Sequence, residues 1–67
     1  MDAVKSATEA IALARQAAMS SGVLFSVVSS AEKVGDVWVV KVGSFGSQYE
    51  ATIAATSGLV TSWKQVK

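Results

Sequence analysis

Along residues 3–18 the apolar side chains recur every three or four positions, at Ala3, Val4, Ala7, Ala10, Ile11, Ala14, Ala17 and Ala18. That spacing puts them on one helical face with Lys5, Thr8, Glu9, Arg15 and Gln16 opposite, and it predicts a helix over residues 6–20 lying on an apolar layer. Two starts compete: Asp2 as the cap, or Ser6-Ala-Thr-Glu9 as a capping box in which Ser6 accepts from the Glu9 amide while Glu9 reaches back. Ser6 is the favoured start, with frayed residues before it. The stop falls at Ser20-Ser21-Gly22, where glycine can take the left-handed conformation that ends a helix. The small alanine face lets the helix approach a sheet closely, and Ile11, Val4 and Leu13 supply its bulk. If Ile11 is fully buried, Ile11→Ala costs about 2–5 kcal/mol.

After Gly22 the texture turns β-branched and aromatic, and four strands are readable. The first covers residues 23–31 and the second 36–42, with Glu32-Lys-Val-Gly35 as the turn between them. Gly43-Ser-Phe-Gly-Ser47 is the next loop, and the third strand runs over residues 48–55. There Tyr49, Ala51, Ile53 and Ala55 alternate with Gln48, Glu50, Thr52 and Ala54, a clear period of two. Thr56-Ser57-Gly58 turns the chain into a fourth strand at residues 59–64. Connections this short predict an antiparallel meander, so the fold class is α+β: one N-terminal helix packed on a four-stranded antiparallel sheet, in two layers. On the second strand Trp38, Val40 and Val42 share one parity, and Val37, Val39 and Lys41 the other. Both faces of the sheet therefore carry apolar residues, although the helix can cover only one.

Sixty-seven residues make one domain with a modest core. The chain has neither cysteine nor histidine, which excludes a disulfide framework and the common Cys/His zinc sites; no metal or cofactor is expected. It is 51% hydrophobic and 16% charged, a globular composition, and its apolar runs are far shorter than a membrane span requires. Met1-Asp-Ala-Val-Lys5 has no basic flank followed by an apolar run, so no signal peptide is expected; a cytoplasmic chain and a domain excised from an extracytoplasmic protein both fit. The net charge of +1 divides into −1 over residues 1–32 and +2 over residues 33–67. Such dispersed lysines are a weak footprint for nucleic acid.

Ser6-Ala-Thr-Glu-Ala-Ile-Ala-Leu-Ala14, Val37-Trp-Val-Val-Lys-Val42 and Tyr49-Glu-Ala-Thr-Ile-Ala-Ala-Thr-Ser-Gly-Leu-Val60 together resemble the PepSY-like domains, over nearly the whole chain. In that family a helix precedes a meander whose last two strands are joined by a Thr-Gly or Ser-Gly turn. Trp38 and Ser57-Gly58 map onto its recurring pattern. The aspartate the family often carries before this turn is replaced by Ala54 and Ala55. The resemblance implies a binding or inhibitory module of the kind found in peptidase propeptides and envelope proteins, and no catalytic residue.

The residues themselves agree with a non-enzymatic reading. Asp2, Glu9, Glu32, Asp36 and Glu50 are dispersed, and the serines read as caps, strand edges and loops. Gly43-Ser-Phe-Gly-Ser47 joins two strands and lacks the lysine of a phosphate loop. Phe45 at its tip either folds back over the core or meets a partner. Trp38 is expected in the core, under the alanine face. Trp63 depends on register. If Ala55 pairs with Leu59, then Leu59, Thr61 and Trp63 share the face of Ile53; shifted by one, Val60 and Ser62 do, and Trp63 points out. The resemblance implies an inward residue two after the glycine, hence Val60 inward and Trp63 on the open face. The expected partner-binding residues are therefore Val37, Val39, Lys41, Phe45 and Trp63. The expected partner is another protein or a second copy of the chain, engaged through the open face or through an edge strand. A nucleic-acid platform of Lys41, Lys64 and Lys67 around Trp63 is the alternative.

Overall fold

The structure, a computed structural model, describes residues 3–23 and 25–66. Asp2, the alternative helix cap, and Lys67, one of the three lysines of the nucleic-acid platform, lie outside the described residues.

Helix α1 spans Ala7–Ser20, with Ser6 as its cap in extended backbone. The Glu9 amide donates to Ser6 Oγ at 3.4 Å, and the Ser6 hydroxyl donates to Glu9 Oε1 at 3.4 Å. The capping box thus closes on the hydroxyl. At the other end Gly22 sits at φ +80°, the Val23 amide donates to Ala18 O at 2.9 Å, and the Gly22 amide donates to Met19 O at 3.1 Å. These are the paired bonds of a glycine-terminated helix, and they satisfy carbonyls the last turn would otherwise leave open.

The buried face of α1 is narrower than the sequence pattern implies. Ala10, Ala14 and Ala18 are fully buried, one turn apart, while Ile11 lies off that stripe and outside the core, which corrects its assignment as buried bulk. Val4 does supply bulk, but from an extended segment ahead of the helix. Its amide donates to Ala55 O at 3.0 Å, and its carbonyl accepts from the Trp38 indole N–H at 3.4 Å. The buried indole thereby keeps its one donor satisfied.

Four strands follow: β1 Val27–Val34, β2 Val37–Ser44, β3 Ser47–Ala54 and β4 Val60–Gln65, antiparallel and ordered as in the chain. The first strand starts and ends later than the pattern suggests. Val23 is consumed in capping α1, and Glu32–Val34 belong to the ladder, because Gly35 at φ +60° allows a two-residue turn with Asp36. The loop at residues 43–47 likewise shrinks to Phe45-Gly46, since Gly43 and Ser44 pair with Gln48 and Ser47.

Both outer strands carry a bulge. Ser29 is the extra residue in β1 and Thr61 in β4. Each uses its hydroxyl to repair the ladder locally: Ser29 Oγ donates to Lys41 O, and Thr61 Oγ1 to Thr52 O, both at 3.2 Å. α1 touches all four strands and covers the face bearing Trp38, Val40, Val42, Ala51 and Ile53.

Candidate interaction surface

The Thr61 bulge decides where the last tryptophan points. Val60 opposes Ile53 as the resemblance implies, but the extra residue reverses the alternation, so that Trp63 opposes Ala51 instead of emerging on the other face. Val60 and Trp63, three positions apart, both pack against the core beneath α1. The Trp63 ring stacks on Tyr49, with centroids 5.3 Å apart and planes 10° from parallel. The expectation that Trp63 lies on the open face is therefore corrected: a uniform period of two does not survive a bulge.

Val37, Val39 and Lys41 do lie together on the open face. Neighbouring strands complete the rows across it. Nearest the Gly35 turn, Val34 and Ala54 flank Val37; next, Glu32 and Thr52 flank Val39, with Ser62 beyond. A charged row follows, in which Glu50 stands between Lys41 on one side and Lys64 on the other, with Lys64 Nζ 3.8 Å from Glu50 Oε1. The last row is Val27, Gly43 and Gln48. Val37 and Val39 are only half buried although they sit in a central strand, because no described helix or strand overlies them on that side. Among the described residues the face carries two acids, Glu32 and Glu50, and two lysines, Lys41 and Lys64, whose charges cancel.

Phe45 does not fold back over the core, and that alternative is corrected. It is 81% exposed, as is Phe25, and the two rings meet edge to face at 5.8 Å. Both hold left-handed backbone, Phe25 at φ +53° and Phe45 at φ +48°. This is an uncommon conformation for a bulky residue, with a cost on the order of 1–3 kcal/mol. In the turn, the conformation is imposed by the two-residue connection, whose strand twist demands positive φ at both Phe45 and Gly46. The choice of phenylalanine there is not explained by the turn. Sequence reasoning missed Phe25; its only signal was a second aromatic close to a helix stop.

Between this pair and the sheet lies a hollow of about 300 Å³, bounded by Phe25, Val27, Gly43, Phe45 and Gln48, with no charged residue in its wall. Its floor is Gly43. A Cβ at that position would approach nothing closer than 3.9 Å, and the backbone there is not left-handed. Neither crowding nor conformation calls for glycine.

The remaining chemistry is dispersed. Glu9, Glu32 and Asp36 are exposed, and among the described residues no three acids gather into a metal-binding group. The nucleic-acid platform comes apart, because Trp63 lies on the helix side while Lys41 and Lys64 lie on the open side, on either side of Glu50. Among the described residues no helix is long and apolar enough to cross a membrane. No protein-family model, curated protein or solved structure matches the chain.

Proposed function

We propose that this chain is a non-enzymatic protein-interaction module of the PepSY-like kind, and that its contact surface is the open face of the sheet, used for self-association. The observation that carries the reading is the half-buried pair Val37 and Val39, at the start of a central strand that no described helix or strand covers on that side. An antiparallel sheet that leaves one face in water ordinarily makes that face polar. The order of elements, a helix followed by a meander with Ser57-Gly58 before the last strand, is the order the PepSY-like resemblance implies. The choice of face over edge rests on the bulges. β1 and β4 are both irregular, which blunts them as templates for another strand.

The experiment is light scattering from about 10 μM to 1 mM, on the wild type and on Val39→Lys. Apparent mass should rise above the 6.9 kDa monomer with concentration in the wild type, and stay there in the variant. Thermal stability measured at low concentration should differ little between the two, because no described helix or strand covers Val39 and it lies outside the core cluster. A wild type that remains monomeric throughout, or a Val39→Lys chain that associates as well, overturns the reading.

A further inference from the structure

We infer that the seat of Val4 is a peptide-binding cleft on the helix side of the sheet, filled in cis by the chain's own extended arm, residues 3–5. Its ligand class is an extended peptide segment carrying one β-branched aliphatic residue. The site is separate from the open face and does not depend on self-association.

The arm is held in the way an extended peptide ligand is, by main-chain bonds and one side-chain pocket. Val4 uses both of its backbone groups: its amide donates to Ala55 O at 3.0 Å, and its carbonyl accepts from the Trp38 indole N–H at 3.4 Å. Its side chain is 1% exposed and joins the core cluster, while Ala3 before it and Lys5 after it are exposed. A single residue therefore fastens the arm. The Gly58 turn lies along it, close enough that a Cβ at Gly58 would stand 3.5 Å from Ala3 Cβ and 3.8 Å from Val4 Cγ2. Beside the seat, a hollow of about 410 Å³ is bounded by Glu9, Ala12 and Leu13 of α1 and by Ser57 and Gly58, so the arm leaves part of the cleft unfilled.

The hold on the arm is local. Lifting it removes one side chain and two hydrogen bonds and breaks no bond of the strand ladders or of α1. Segments held in this way open at a free energy well below that of global unfolding. Opening also bares Trp38, which is 9% exposed with the arm in place, and takes the Val4 acceptor from its indole N–H. An unpartnered donor in an apolar seat favours reoccupation by a segment that returns a carbonyl at that point and an aliphatic side chain beside it. The arm is thus a latch over Trp38.

Hydrogen exchange of the wild type tests the latch. The Val4 amide and the Trp38 indole N–H should share one opening event, with protection at least about 100-fold below that of the Val40 and Ala51 amides and insensitive to low urea concentrations. A blocked peptide of residues 2–6 tests the cleft on Val4→Ser, which vacates the seat, with Val4→Ala as the milder variant should Val4→Ser not fold. The peptide should raise the variant's Tm in a saturable way over about 0.1–10 mM and return the indole N–H resonance towards its wild-type position. The same peptide with serine in place of its valine should do neither. The wild type, whose seat is filled at the high effective concentration of a tethered ligand, should respond at least about tenfold more weakly. Exchange of Val4 and Trp38 at the rate of the core amides overturns the inference, because the arm is then an integral part of the core. So does a peptide that leaves both variants unchanged, or one that acts equally well with serine.

Discussion

Replacing Trp63 by alanine separates two roles that its sequence position left open. As an anchor on an outer surface, its loss would weaken association and leave the fold alone. In the structure it lies on the helix side, against Ala51 and Tyr49, so the damage should fall on stability. A largely buried indole removes about 150 Å² from water, which at about 25 cal/mol per Å² is close to 4 kcal/mol as an upper bound. The stack on Tyr49 adds about 0.5–1.5 kcal/mol, and relaxation of the edge strand returns part of the total. The expected loss is about 3–4 kcal/mol. At about 0.05–0.15 kcal/mol per residue, a chain of 67 residues has about 3–10 kcal/mol in all, so the variant should be marginal or unfolded at 25 °C. Urea unfolding followed by far-ultraviolet circular dichroism, at a concentration below the association range, measures this directly. Trp63→Phe, which keeps a ring against Tyr49, should recover more than half of the loss. A Trp63→Ala chain destabilised by less than about 1 kcal/mol would refute the packing argument, and the bulge-dependent register with it.

Two further substitutions test the narrow buried stripe and the helix stop. Ile11→Ala should cost less than about 1 kcal/mol by urea unfolding, since the side chain lies off the Ala10–Ala14–Ala18 stripe and alanine is the better helix former, whereas Ile53→Ala, fully buried, should cost about 2–5 kcal/mol. Equal losses would mean that α1 is rotated about its axis. Gly22→Ala should lower stability by about 1 kcal/mol, because the position holds φ +80°; a neutral result would mean the helix ends differently in solution.

The helix and the meander were legible because their signals are local and redundant. The Ser6 cap, the Gly22 stop and the strict alternation from Gln48 to Ala54 each point to the structure that forms, and the parity of Trp38, Val40 and Val42 correctly gives the covered face. What was not legible depends on single inserted residues and on pairing across the sheet. Thr61 looks like any polar residue of an alternating strand, yet as a bulge it carries Trp63 to the other face. The one hint was Ala51, smaller than its same-face neighbours Tyr49 and Ile53, which leaves room for an indole opposite. Ile11 misled for a related reason: the sequence period fixes a broad apolar arc, whereas only packing against the sheet selects which third of it is buried. The surface itself was partly legible. Val37, Val39 and Lys41 follow from parity alone, but the hollow at Gly43 and the pairing of Phe25 with Phe45 need two strands and a turn brought together.

Size complementarity across layers runs through the covered half of the molecule. Ala10 and Ala14 of α1 belong to the same buried cluster as Trp38, Val40 and Ile53, and Ala51 stands opposite Trp63, so small side chains on one element sit with large ones on a neighbour.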